Sequence, residues 1–294
     1  MFDYWESNQH LYVLMEYCEN GTLDVFLQDH GRVRRLDEWR VWKISVESAL
    51  GLRFIHDSGY VHLDMKPANV LITFEGTLKI SDFGMAAKLP ITGDMEDREG
   101  DREYIAPEVL SKQQYGKPAD IFSLGLMMLE TAANIVLPDN GLHWQKSRSG
   151  DLSGAGRLSS GEIHSGTKGN SRMRTIDGLS AQASDPDFQN SMDSLGSATA
   201  PTDSLDSGSP TDDVAAPPSW YPRFMSEEGS LDELVKWMTV PLPENRATIH
   251  DIVNSESVRW VDRARKAGAV VYEGDYGPGP DDPMVVDENW RFEL

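Results

Sequence analysis

The stretch HLDMKPAN, from His62 to Asn69, is followed by the tripeptide DFG at Asp82 to Gly84. Between them, Val70 to Thr73 and Thr77 to Ile80 read as short strands around a Glu75-Gly76 turn, which is a hairpin signal. One carboxylate, Asp64, thus lies in a tight loop ahead of Pro67, and a second, Asp82, directly follows a strand. Upstream, a helix is predicted from about Asp37 to Asp57. Its Val41, Ile44, Ser48, Leu52 and Ile55 fall at three- and four-residue steps, which makes one side mostly apolar, and Gly59 ends it. Leu11 to Met15 reads as a buried strand. EYCENG at Glu16 to Gly21 breaks it, and Thr22 to Gln28 follows as a short helix, with Thr22 as N-cap and Gly31 beyond its end.

Downstream, Pro118 suits the first turn of a helix, where its missing N–H is not needed. The apolar run Ile121 to Leu137 is interrupted by Ser123, Glu130 and Asn134 and closed by Pro138. It reads as a buried helix rather than a membrane span. Leu231, Leu234, Val235 and Met238 mark one later helix, and Ile249, Ile252, Val253 and Val258 another. From Ser147 to Ser219 the chain is rich in Ser, Gly, Asp and Thr. Such a composition cannot bury enough apolar surface to offset ordering, so a disordered insertion is predicted there. An acidic tail with several Pro and Gly begins at Glu273.

The 294 residues suffice for one sizeable domain or two small ones. Lys and Arg number 27 against 48 Asp and Glu, a formal net charge of −21. That balance argues against nucleic acid, whose binding needs cations on phosphates, and against anionic membrane surfaces. The single cysteine, Cys18, cannot form an internal disulfide, which fits a reducing compartment. Met1 to Glu6 is aromatic and acidic, without the basic segment that opens a secretory signal.

HLDMKPAN and DFG, in this order and separated by two short strands, resemble the catalytic loop and metal-binding motif of eukaryotic-type protein kinases. The resemblance implies an α+β, protein-kinase-like fold: a mainly α-helical C-lobe with residual N-lobe strands and hinge. It divides the chain into residual N-lobe strands and hinge (1–21), the first part of the C-lobe (22–146), the insertion (147–219), the last C-lobe helices (220–265) and the tail (266–294). It also implies ATP and Mg²⁺ as cofactors. By the same resemblance Asp64 is the catalytic base, Lys66 carries positive charge to the transferring phosphoryl group, and Asn69 and Asp82 hold the metal. The hinge from Glu16 to Cys18 would face adenine, with Met15 as gatekeeper, Leu71 as floor and Thr22 near the ribose. Ala106-Pro107-Glu108 resembles the end of an activation segment, and Glu108 is expected to pair with Arg246. Asp120 is expected to hold the catalytic-loop backbone, and His62 to pack beneath it. No reactive thiol is expected at Cys18.

Within that family, Leu63 stands where most kinases carry arginine. EGDREYIAPEVL at Glu99 to Leu110, KPADIFSLG at Lys117 to Gly125, LPDNGLHWQKSRSGDLS at Leu137 to Ser153 and the hinge MEYCENGTL at Met15 to Leu23 are similar to the Wee family, particularly its fungal members. Together they cover about residues 1–153 and 220–262. The implied function is phosphorylation of a tyrosine on a cyclin-dependent kinase, restraining mitotic entry at G2/M, in the nucleus or cytoplasm. A lysine two places after the base is otherwise the serine/threonine pattern, so acceptor specificity stays open. A leucine at position 63 cannot pair with a phosphorylated activation loop. Asp94 to Glu103 is therefore expected to order without phosphate, through ion pairs involving Arg98 and Arg102. No Gly-rich loop or strand lysine precedes Leu11, and little activity is expected of the chain by itself. The alternatives are a truncated, weakly active or inactive kinase lobe that acts as a binding module, and a serine/threonine kinase. Ser209-Pro210 and Thr202 invite a regulatory reading of the insertion beside that of a spacer.

Overall fold

The computed structural model of the protein describes residues 2–31, 34–91, 100–159, 218–226 and 229–265, with Gly277 and Gly279. Among them the fold is mainly helical, with three two-stranded sheets. Its central helix is α2, Glu38–Asp57, as the periodicity predicts. The expected apolar side is buried, but so are Trp39, Trp42, Lys43 and Glu47, so α2 is surrounded instead of half-exposed. Its buried charges satisfy one another. Lys43 Nζ donates to Glu47 Oε1 at 2.9 Å, and Glu47 also accepts from the Leu78 amide at 2.8 Å and from Arg265 at 2.9 Å. Burying an ion pair costs solvation, and such further hydrogen bonds are what offset it.

Before α2 come β1, Asp3–Ser7, and β2, His10–Leu14, then α1, Leu23–Gly31. The strand expected at Leu11 to Met15 is present, one residue earlier, but it is not buried. Both strands of the β1–β2 hairpin are exposed along their whole length. A two-stranded ribbon cannot cover its own faces, and no described element covers them for it. α1 runs past Gln28 and takes in Gly31; Thr22 Oγ1 accepts from the Val25 amide at 3.2 Å, the N-cap expected of it.

After α2, β3 (Tyr60–Val61) pairs antiparallel with β6 (Ala87–Lys88), and β4 (Val70–Ile72) pairs with β5 (Leu78–Ile80). The β4–β5 turn uses Gly76 at φ +75, a conformation glycine adopts without penalty. α3, Pro107–Lys112, leads to α4, Lys117–Ala133, which has proline in its first turn. Ile121, Phe122, Leu124 and Met127 of α4 are almost inaccessible, packed on α2 and on α7, Ser230–Met238. α5 spans Gly141–Arg148 and α6 Arg223–Ser226. The single helix expected over Ile249 to Val258 is two: α8, Ile249–Asn254, and α9, Glu256–Ala264. Ser255 is extended between them, at φ −61° and ψ 151°.

Packed structure continues past Ser147, where the insertion was expected to begin. Arg148, Leu158 and Ser159 are buried, and Asp232 accepts from the Leu158 and Ser159 amides at 2.9 and 3.0 Å. Composition misses this because the apolar side chains are few and backbone hydrogen bonds do the anchoring. Residues 160–217 lie outside the described residues, Ser209 and Thr202 with them. So does nearly all of the tail, of which Gly277 sits against the buried Trp39. No helix among the described residues is long and apolar enough to cross a membrane.

Candidate active site

Leu63 adopts the left-handed conformation at φ +65. For a branched residue this costs about 1–3 kcal/mol and persists only where the surroundings impose it. Here Asp120, fully buried on α4, imposes it. Its Oδ2 accepts from the His62 amide at 2.8 Å and its Oδ1 from the Leu63 amide at 2.6 Å. His56, at the end of α2, meets Asp120 Oδ2 through Nε2 at 2.8 Å. His62 has no exposed surface. Its Nδ1 accepts from the Asp64 amide at 3.3 Å, so Nε2 carries the proton it donates to the Ser81 carbonyl at 2.9 Å. Its ring also meets Phe83 edge-on, with centroids 5.3 Å apart. With both ring nitrogens committed, His62 packs the loop against DFG, as expected.

The strained turn aims Asp64 into a cluster with Lys66 and Asn69. Asn69 Nδ2 donates to Asp64 Oδ2 at 2.8 Å, and to the Asp64 carbonyl at the same distance. Lys66 Nζ lies 3.1 Å from Asp64 Oδ2 and 3.3 Å from Asp101 Oδ2. Burial alone would lower the Lys66 ammonium, but Asp64 and Asp101 outweigh it and the net shift is upward, so Lys66 stays charged. Asp82 is exposed at φ +58 and ψ 78, with Oδ1 accepting from the Gly84 amide at 3.2 Å. The Ser81 amide and hydroxyl both donate to the Asn69 carbonyl, at 2.8 and 3.0 Å, which ties the start of DFG to the end of the HLDMKPAN loop. The hairpin between the two motifs thus folds them back on each other.

The segment Gly100–Ala106 runs over this cluster. A Cβ on Gly100 would lie 2.7 Å from the Leu63 carbonyl oxygen, so only glycine allows this approach. The Asp101 amide donates to Asp64 Oδ1 at 3.3 Å. The Tyr104 hydroxyl donates to Glu130 at 2.5 Å; burial first, then the charge of Glu130, pushes its ionisation far upward. Arg246 grips Glu108 with both terminal nitrogens, at 2.6 and 3.0 Å, and also donates to the Pro118, Val240 and Pro241 carbonyls. The ion pair expected for Arg98 falls outside the described residues. Arg102 lies over the Trp144 ring, 5.8 Å from its centroid.

The family described as protein kinase domain matches residues 1–258. This chain belongs to the protein kinase family. The kinase chain is 48% identical over its whole length to mitosis inhibitor protein kinase wee1 of Schizosaccharomyces pombe, of which it covers 28%. It is 44% identical over 94% of its length to mitosis inhibitor protein kinase SWE1 of Saccharomyces cerevisiae, covering 36% of that protein. Half of the kinase chain is 40% identical to a membrane-associated tyrosine- and threonine-specific cdc2-inhibitory kinase of Drosophila melanogaster, covering 27% of it. The resemblance to fungal Wee kinases read from the motifs is thereby borne out. The kinase chain spans about a third or less of these relatives.

The residues expected to line the nucleotide lie between β2 and α1 and on β4. The Asn20 amide donates to the Ile72 carbonyl at 3.2 Å, and the Ile72 amide to the Gly21 carbonyl at 2.9 Å, so Thr22 and Leu71 stand opposite each other as a bridge. The Thr22 hydroxyl oxygen is engaged in capping α1. Glu16 is bound by Lys79 Nζ at 2.5 Å, and Met15 is 66% exposed. Burial, then the charge of Glu16, raises the Cys18 thiol, which keeps it protonated. Sequence reasoning missed His56, Asp101, Trp144 and Arg148 as parts of the site; their partners are backbone groups or residues distant in sequence.

Proposed function

We propose that these residues serve a whole protein that transfers the γ-phosphate of ATP to a protein hydroxyl, a tyrosine of a cyclin-dependent kinase, and so restrains entry into mitosis. One observation carries the reading: Asp64 Oδ2 is held by both Asn69 and Lys66, which leaves Oδ1 with a single long bond, from the Asp101 amide. Oδ1 is therefore the oxygen with room for an acceptor hydroxyl. It orients that hydroxyl and takes its proton, while Lys66 presents positive charge beside it. The relatives' names support the mitotic role, and the Drosophila name supports a hydroxyl on cdc2. Action in the nucleus or cytoplasm belongs to the same reading.

The donor set fits Mg²⁺. Asn69 commits its amide nitrogen to Asp64, which leaves its oxygen for a hard cation, and Asp82 presents an exposed carboxylate just past the end of β5. No group of three or more His, Cys, Asp or Glu among the described residues is placed to hold a metal ion by itself. Mg²⁺ with a nucleotide needs only one or two carboxylates, the rest coming from phosphates and water. When bound, it would neutralise phosphate charge.

Lys66, two places after the base, supports a second acceptor class, serine or threonine. The test is phosphate transfer by the whole protein to a cyclin-dependent kinase, with phosphoamino-acid analysis and Asp64→Asn as control. Phosphotyrosine with wild type, and a loss of roughly 10³-fold or more with Asp64→Asn, are expected. Phosphoserine or phosphothreonine alone would overturn the tyrosine assignment. Undiminished transfer by Asp64→Asn would overturn the assignment of the base.

A further inference from the structure

α5 touches the segment that carries Asp101, and its contacts are of an unusual kind. Arg148 is 7% exposed, yet every oxygen its guanidinium meets among the described residues is neutral. Nη2 donates to the Arg102 carbonyl at 2.7 Å and to the Glu103 carbonyl at 3.0 Å. Nη1 donates to the Trp144 carbonyl at 3.2 Å and to Ser147 Oγ at 3.1 Å. The guanidinium stacks on the Trp144 ring, 4.1 Å from its centroid, and Trp144 Nε1 donates to the same Arg102 carbonyl at 2.8 Å. Nε is left without a partner among the described residues. Burial, helped by nearby Arg102, pulls the guanidinium down to about 9, the expected consequence of burying a cation with no carboxylate against it.

A buried cation held by neutral oxygens, without a carboxylate among the described residues, is a poor way to stabilise a fold. It is a good way to fix the position of a backbone, because one nitrogen of the planar fork spans two successive carbonyls while the other ties it to α5. What it fixes is one residue from the catalytic cluster. Asp101 receives Lys66 on its side chain and donates from its amide to Asp64, and its carbonyl accepts from the Tyr104 and Ile105 amides, each at 3.0 Å. Leu63 offers no cation to a phosphate on the preceding loop, so alignment has to come from elsewhere.

We propose that Arg148 and Trp144 are positioning residues: α5 clamps the backbone of Arg102 and Glu103, holding Asp101 on Asp64 and Lys66 without a phosphate. The catalytic consequence rests on the kinase reading above; the clamp itself does not. In the whole protein, treated with phosphatase, Arg148→Met is expected to lower kcat about 10- to 100-fold, with the KM for ATP within about twofold. Arg148→Lys restores the charge but not the fork, and is expected to stay low. Trp144→Phe keeps the ring and loses one donor, so its kcat is expected to fall about threefold to tenfold.

Amide hydrogen exchange is measured on the same proteins, and it needs no catalysis. Exchange at Asp101 to Ile105 is expected to quicken by about tenfold or more in Arg148→Met, with α4 still protected. Should α4 lose protection as well, Trp144→Phe carries the test. Unchanged exchange at Asp101 to Ile105 overturns the clamp, and quickened exchange with undiminished kcat overturns its positioning role in catalysis. A wild-type protein that transfers no phosphate overturns the kinase reading only, and exchange then decides the clamp alone.

Discussion

Glu103 sits close to the cluster of Asp64, Lys66 and Asp101, with its carboxyl pushed up to about 7, by burial first and then by Asp101, Glu130, Asp139 and Asp24. Its backbone carbonyl faces Arg148, so the side chain is left among like charges. An acid whose folded value is raised stabilises the fold while it keeps its proton. Below about pH 4.5 both states are protonated and the contribution is whole. Between about 4.5 and 7 the unfolded chain ionises first, stability falls, and above about 7 it levels off. Glu103→Gln removes this slope. Relative to wild type, the variant is expected to gain about 1 kcal/mol between pH 5 and pH 8, a figure reduced from the full shift because the residue is half-exposed. Urea unfolding at the two pH values measures it; a stability difference independent of pH would remove Glu103 as the titrating group. At the same scale, Asp64, Lys66, Asn69 and Asp82 were legible because they lie in two short contiguous motifs. Arg148 was not, since its partners are carbonyls of residues 46 and 45 positions earlier, and carbonyls leave no mark in side-chain pattern.

α4 gives the case where an element's packing turns on one atom. At Gly125 a Cβ would lie 2.7 Å from Thr239 Cγ2 and 2.8 Å from Met238 Cβ, where α4 meets the end of α7. Alanine gains up to about 1 kcal/mol of helix propensity over glycine, while overpacking a filled interface costs about 1–3 kcal/mol. At Gly51 on α2 the nearest atoms are the flexible end of Ile80, at 3.0 and 3.3 Å. Gly125→Ala is accordingly expected to lower stability by about 1–2 kcal/mol and Gly51→Ala to change it by less than about 0.5 kcal/mol. Thermal unfolding of the pair compares them, and equal effects would mean that α4 and α7 have slack. The positions of α2 and α7 followed from apolar spacing, and that of α4 from an apolar run opened by Pro118, because burial and apolar pattern report the same thing. Period could not report that α2 is surrounded, since Lys43 and Glu47 look like solvent-facing residues until each finds the other. Nor could it separate α8 from α9, a break made by the backbone of one serine.

Two opposed surface features act on the molecule as a whole. The β1–β2 hairpin and the residues after it expose Tyr4 at 64%, Leu11 at 68%, Leu14 at 50% and Tyr17 at 78%, apolar surface on both faces of the ribbon and beyond it. Against this stands the net charge of −21, which keeps copies apart by repulsion. Repulsion between exposed charges reaches about 10 Å at 0.1 M salt and about 3 Å at 1 M, whereas apolar attraction does not weaken with salt in this range. The chain is therefore expected to stay dispersed at low salt and to self-associate as salt rises. Leu11→Thr combined with Leu14→Thr keeps strand-forming side chains and the charge unchanged while removing apolar surface from β2. Sedimentation velocity at about 0.1 M and about 1 M sodium chloride separates the two effects. The expected result is a salt-driven shift to larger species in wild type, reduced in the double variant. If both proteins associate alike, the hairpin is not the adhesive surface, and if neither does, charge repulsion is not what holds the wild type apart.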